Sequence, residues 1–138
     1  MRLLFILLSI IYVAMIFLLA DSSAVSHLEG FNPYSLLHIP LYGILAILLS
    51  FSFFPIKLNQ INQINETDEK DQKNQINFFI VGIIALIVGI ADEIHQSYIP
   101  TRDASVLDVL LDFTGIALTL FLFSILLKKR AITQCPND

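Results

Sequence analysis

Apolar side chains fill four long runs of the chain, and most polar side chains lie in the connections between them. A run of about 18 or more apolar residues is long enough to cross the ~30 Å hydrocarbon core of a bilayer as a helix. The pattern therefore predicts an all-α, polytopic membrane protein with a four-transmembrane-helix bundle. The helices are expected at about residues 3–20, 34–55, 78–98 and 104–127.

The composition agrees with a membrane protein and limits the classes of function. Of the 138 residues, 56% are hydrophobic and 14% are charged, whereas soluble domains carry about a quarter charged residues. The mean hydropathy is +0.75. A net charge of −4 gives no basic surface for nucleic acid. Because Cys135 is the single cysteine, neither a disulfide framework nor a cysteine metal site is expected.

The first apolar run has two interpretations. Arg2 precedes it and small residues follow it at 20–24, as in a secretory signal peptide. The apolar region of a signal peptide usually has about 7–15 residues, whereas this run has 18. We therefore expect a retained transmembrane helix.

Lysine and arginine side chains are distributed unevenly among the connections, and they concentrate in the cytoplasmic loops of membrane proteins. The segment before the first helix, the connection at 57–77 and the C-terminal tail carry one, three and three of them. The connection at 21–35 carries none, and the connection at 96–105 carries only Arg102. Both termini and the connection at 57–77 are therefore expected in the cytoplasm. That connection is rich in Asn and Gln, so we expect a flexible tether.

Polar side chains gather where the second and fourth helices begin and where the third helix ends. In the predicted orientation, all three places lie in the outer half of the membrane. Charged groups inside a bilayer are costly unless they are paired or face water. The sequence therefore predicts an acidic pocket that opens outward and binds a ligand. Its residues are His38, Tyr42, Asp92, Glu93, His95, Gln96, Arg102, Asp108 and Asp112.

Structural explanations compete with function at some of these positions. Residues 105–108 match a capping box, in which the Asp108 side chain would only complete the start of the fourth helix. Asp112 lies a full turn deeper than a capping residue. Asp92 and Glu93 lie toward a helix C-terminus, where negative charge is unfavourable. These three carboxylates are therefore the stronger indications of function. His38 by itself is typical of a hydrogen-bonded packing residue.

At these residues the sequence resembles the VanZ-like family of small membrane proteins. The family signature has an acidic pair, a Gln, a Pro-Gly-Arg-like turn, an Asp, a second polar residue one turn later and a Gly. The matching residues here are Asp92, Glu93, Gln96, Pro100, Arg102, Ser105, Asp108, Asp112 and Gly115. His38 and Tyr42 match a weaker element. Thr101 stands where the family commonly has Gly, and the Asp-Lys pair that often precedes the His is absent.

The resemblance implies a bacterial protein of the cell membrane that acts at the cell envelope. The family is named for a protein associated with resistance to teicoplanin. The expected partners are the lipid bilayer and either a lipid-linked envelope precursor or a lipoglycopeptide. The first hypothesis is therefore a protein that binds or modifies an amphiphile of the outer leaflet and contributes to glycopeptide tolerance.

Two other hypotheses remain open. One is an intramembrane hydrolase or transferase that uses a divalent metal on a lipid-linked substrate. Asp92 or Glu93 would then be the general base, and His38 a metal ligand or proton shuttle. The other is a small transporter coupled to cations or protons. The spacing matches no HExxH-like metal signature, so no residue is assigned as a metal ligand, and a divalent cation is the one cofactor that the side chains suggest.

Overall fold

The computed structural model describes residues 2–20, 34–54, 67–99 and 105–133. Over these ranges the chain forms four α-helices, and a turn of 3-10 helix at Tyr34–Leu37 leads into the second. The helices are α1 (Arg2–Ala20), α2 (His38–Phe53), α3 (Thr67–Gln96) and α4 (Val106–Thr133). Each helix forms most or all of a segment long and apolar enough to cross a membrane, or contains such a segment. The prediction of an all-α, multi-pass membrane protein is confirmed.

Two helices extend beyond their predicted ends. α3 begins at Thr67 rather than near residue 78, so the last part of the expected tether at 57–77 is helical. α4 continues to Thr133 rather than ending near residue 127. Lengthening an existing helix is far easier than starting one.

The second helix is the centre of the bundle. α2 contacts α1, α3 and α4, and its most extensive contact is with α4. The buried apolar core contains Ile16, Tyr42, Leu45, Ala46, Leu49, Val81, Ala85 and Ile116. Large apolar side chains such as Leu18, Ile44 and Phe121 are exposed on the outside of the bundle. This arrangement is expected for helices that lipid surrounds, because lipid chains are as apolar as the side chains they meet.

Glycines bring α4 close to its neighbours. A β-carbon added to Gly115 would lie 2.2 Å from the carbonyl oxygen of Ile39, so α4 lies directly on the backbone of α2. Gly82 of α3 has more space around it than Gly115, because a β-carbon added there would lie 3.5 Å from the Leu120 side chain. Small residues at such crossings are how membrane helices approach closely.

The two ends of the bundle differ in chemistry. Where α2 ends, phenylalanine rings contact one another at centroid distances from 4.6 to 6.2 Å. We call this the aromatic end, and its rings are those of Phe5, Phe51, Phe54, Phe78 and Phe123. Arg2 Nε donates a hydrogen bond to the Ser52 carbonyl at 2.8 Å, close in sequence to these rings. The opposite end, where α2 begins, carries the polar residues and is called the polar end.

A pair of glycine substitutions tests this packing. Gly115→Ala places a methyl group against the α2 backbone, and overpacking an interior costs about 1–3 kcal/mol. We expect it to lower the melting temperature of the purified protein in detergent. Gly82→Ala is the matched control, because both changes gain the same helix propensity and only Gly115 is crowded. Equal melting temperatures for the two variants would contradict the close α2–α4 contact.

Candidate functional site

Polar side chains from three helices meet at the polar end. Antiparallel connections bring the start of α2, the end of α3 and the start of α4 to the same end of the bundle. We call this group the polar cluster. It contains Ser35, His38, Tyr42, Asp92, Glu93, Gln96, Ser105, Asp108 and Asp112.

The innermost contact of the polar cluster joins α2 to α3. The Tyr42 hydroxyl donates to Asp92 Oδ2 at 3.2 Å, and Gln96 Nε2 donates to the same oxygen at 2.9 Å. All three side chains are buried. The other carboxylate oxygen of Asp92, Oδ1, is buried without a hydrogen-bond partner among the described residues.

A second contact joins α2 to α4. His38 Nδ1 and Asp112 Oδ1 are 2.8 Å apart, close enough for a hydrogen bond and an ion pair. Asp112 is fully buried, about 9 Å along the helix axis from the first residue of α4. Its Oδ2 lies against Gly89 of α3, where an added β-carbon would be 2.7 Å away. Because glycine has no side chain, residue 89 leaves room for this carboxylate.

The third contact changes the role expected for Asp108. Ser105 Oγ accepts the Leu107 N–H at 3.2 Å, so the serine caps α4. In a capping box the Asp108 side chain would accept the Ser105 N–H, but that N–H donates to Glu93 Oε2 at 3.0 Å instead. The capping role proposed for Asp108 is therefore wrong, because a carboxylate from α3 performs it. The Asp108 carboxylate instead accepts the hydroxyl of Ser35.

Three members of the polar cluster could share a cation. One ring nitrogen of His38 and one carboxylate oxygen from each of Glu93 and Asp108 lie within 4.8 Å of one another. Glu93 is buried, whereas His38 and Asp108 are partly exposed. The sequence analysis named His38 as a metal ligand or proton shuttle under the hydrolase or transferase hypothesis. The set of three was not predicted, because its members come from three different helices and have no diagnostic spacing.

The polar cluster has more buried acceptors than the described residues satisfy. Asp92 Oδ1, Glu93 Oε1 and Asp112 Oδ2 are buried and make no hydrogen bond within the described ranges. An unsatisfied buried polar group costs about 1–3 kcal/mol, and a charged one more. Carboxylates placed close together also repel each other strongly in a medium of low dielectric constant. The arrangement is therefore suited to a cation or to a ligand rich in hydrogen-bond donors.

Two predicted site residues are placed differently from the rest. The His95 ring lies 5.5 Å from the Phe17 ring and so contacts α1. Arg102 lies outside the described residues. The other predicted residues come together as the spacing indicated. Ser35 and Gly89 were missed as site residues, although Ser35 lies one turn before His38 and a glycine one turn before Asp92 is a sign of a close contact.

Comparisons of the chain with protein-family models, with curated proteins and with solved structures found no match. The resemblance to the VanZ-like family therefore stays a prediction from the residues that carry it. A function for the polar cluster has to be argued from its own geometry and chemistry.

A double-mutant cycle tests the contact between Gly89 and Asp112. We expect Gly89→Ala to destabilise the protein, because its methyl group would overlap the buried Asp112 carboxylate, whose Oδ2 would be 2.7 Å away. The same substitution in an Asp112→Ala background should cost much less, because Oδ2 and Cγ are then absent and the remaining β-carbon of residue 112 is 3.4 Å from the added carbon. Contacting residues typically show coupling of about 0.5–3 kcal/mol. Additive changes in unfolding free energy, measured in detergent, would show that the two residues are not in contact.

Proposed function

We propose that this chain is a bacterial cell-envelope membrane protein that binds the cationic or metal-bridged head group of an amphiphile. The observation that carries the proposal is the set of three buried carboxylate oxygens, from Asp92, Glu93 and Asp112, that lack hydrogen-bond partners in the described part of the chain. Such atoms are rare in folded proteins and require an explanation. A bound cation supplies one.

An amine-bearing head group fits these oxygens chemically. An ammonium group offers three N–H donors and no acceptor, whereas the unpartnered atoms are all acceptors. Hydrogen bonds between a charged donor and a carboxylate are roughly twice as strong as neutral ones. The ligand would therefore recover much of the free energy that burying the carboxylates costs.

The depth of the polar cluster favours a head group over an acyl chain. Asp92 lies about 6 Å from the end of α3 and Asp112 about 9 Å from the start of α4. These depths fall near the boundary between the hydrocarbon core and the head groups of a bilayer. The lysine and arginine distribution supports placing this boundary in the outer leaflet.

Exposed apolar side chains beside the polar cluster favour a ligand with a lipid tail. Leu36 and Leu37 precede His38, and Val106 and Leu107 precede Asp108; all four are at least half exposed. A head group held by the carboxylates would leave its tail lying along these side chains. The resemblance to the VanZ-like family makes teicoplanin, a lipid-bearing glycopeptide, the amphiphile to test first.

The transporter hypothesis receives less support from the distribution of charge. Within the four membrane segments, the lysines and arginines are Arg2, Lys73 and Lys128, all at the aromatic end of the bundle. The ionisable acids and histidines lie at the polar end. A proton or cation relay across the membrane would need ionisable groups between the aromatic end and the polar end. The hydrolase or transferase hypothesis depends on a bound divalent metal ion.

Drug tolerance tests the proposal in cells. The wild type and an Asp92→Asn, Glu93→Gln variant would be expressed in a susceptible Gram-positive host, and inhibition by teicoplanin and vancomycin measured side by side. We expect the wild type to raise teicoplanin tolerance and the variant to lose this effect at equal membrane expression. Asp68→Asn, Glu69→Gln is the matched control, since it removes the same charges elsewhere on α3. Full tolerance in the Asp92, Glu93 variant would contradict the proposal.

A binding measurement tests the ligand class without the drug. Dodecylamine and dodecanol, which have the same chain length, would be added to the purified protein and melting temperatures compared. We expect the amine to stabilise the wild type and the Asp68, Glu69 control but not the Asp92, Glu93 variant, because only the amine carries a charge. Equal stabilisation by amine and alcohol would contradict recognition through the carboxylates.

A further inference from the structure

We propose that His38, Glu93 and Asp108 form a binding site for a single divalent cation. The inference deepens the proposed function, on which it rests for the idea that the ion bridges to a head group.

The distances suit one ion. Zinc binds nitrogen and oxygen ligands at about 2.0–2.2 Å, and larger divalent ions bind oxygen at up to about 2.6 Å. Two ligands on opposite sides of an ion are therefore at most about 4.4 Å apart for zinc and about 5 Å apart for the larger ions. Since the ligand atoms of His38, Glu93 and Asp108 already lie within 4.8 Å of one another, small side-chain movements would bring them onto a common ion.

The histidine is oriented as in known metal sites. A metal-bound histidine almost always donates its second ring N–H to a carboxylate or a carbonyl, which fixes the ring and its tautomer. His38 Nδ1 has this partner in Asp112 Oδ1, at 2.8 Å. With Nδ1 engaged, Nε2 is left as the nitrogen for the ion. Asp112 is therefore a positioning residue that acts through His38.

The Glu93 side chain gives evidence for a ligand that goes beyond the clustering of acidic residues. Its side chain is 95% buried, being only 5% exposed, and its Oε2 is held by the Ser105 N–H. Its Oε1 is buried without a hydrogen-bond partner in the ranges that the structure describes. A carboxylate fixed through one oxygen with the other left unsatisfied is what a metal ligand requires. The Ser35 hydroxyl holds Asp108 in a similar way.

The ligand set indicates which ions bind. One imidazole with two carboxylates suits Zn²⁺ or Mn²⁺, whereas Mg²⁺ and Ca²⁺ prefer oxygen ligands alone. Three protein ligands leave at least one coordination position open. Because His38 and Asp108 are partly exposed, the open position faces away from the core, toward an incoming head group.

Manganese binding to the purified full-length chain tests the site. The protein would carry an affinity tag without histidine, be stripped with a chelator in detergent and be titrated with MnCl₂ while free Mn²⁺ is followed by electron paramagnetic resonance. We expect a single high-affinity site per chain. Glu93→Gln and Asp108→Asn should each weaken binding at least about tenfold, and Asp112→Asn about 10–100-fold. Asp68→Asn, outside the cluster, should leave the affinity unchanged.

A spectroscopic signature distinguishes a ligand from a merely structural residue. Pulsed electron paramagnetic resonance of the bound Mn²⁺ should show coupling to an imidazole nitrogen that is absent in His38→Gln, provided that the variant elutes as a folded protein. Unchanged affinity in Glu93→Gln and Asp108→Asn, or bound manganese without nitrogen coupling, would overturn the site. No saturable binding by the wild type would overturn it as well.

The outcomes separate this site from the proposed function. If dodecylamine stabilises the wild type but Mn²⁺ does not bind, the metal site is overturned and head-group recognition stands. If Mn²⁺ binds with the predicted dependence on Glu93 and Asp108 but neither amine nor teicoplanin has an effect, the metal site stands and the proposed amphiphile is wrong.

Discussion

Removing carboxylates from water is the constraint on which this structure depends. Four of them, on Asp92, Glu93, Asp108 and Asp112, lie within segments that have the length and hydropathy of membrane spans. An ion transferred to a low-dielectric interior costs several kcal/mol even after relaxation. The protein offsets part of that cost with hydrogen bonds from other helices. One oxygen on each of three carboxylates, those of Asp92, Glu93 and Asp112, has no hydrogen-bond partner in the described ranges.

The rest of the bundle makes these contacts possible. The backbone contact at Gly115 brings α4 against α2, and Gly89 makes room on α3 for the Asp112 carboxylate. α2 can then present His38 to α4 and Tyr42 to α3. Phenylalanine rings join the helices at the aromatic end by contacts that need no hydrogen bonds. Apolar ring contacts thus dominate one end of the molecule, and polar side chains gather at the other.

Hydrophobic runs and helical spacing predicted the four helices and most members of the polar cluster. Residues such as Asp92 and Gln96 share a helix face, and the length of each run limits where a helix can lie. Contacts between helices could not be predicted in this way. Glu93 accepts the Ser105 N–H in place of Asp108. This hydrogen bond depends on how closely α3 approaches the start of α4. The contact of His95 with Phe17 depends on where α1 packs. α3 begins at Thr67, before the apolar run, because a helix extends easily once it has formed. A prediction based on apolar runs alone does not include this extension.

The central claim is that the carboxylates are present for a ligand and not for the stability of the fold. The most direct test is the melting temperature of a variant in which Asp92, Asp108 and Asp112 become Asn and Glu93 becomes Gln, in detergent with a chelator and without ligand. Each amide keeps the shape and one acceptor oxygen, replaces the other oxygen with an NH₂ donor, and removes a buried charge whose desolvation costs several kcal/mol. We predict a melting temperature equal to or higher than that of the wild type. A clearly lower value would show that the charged carboxylates hold the bundle together and would contradict the account.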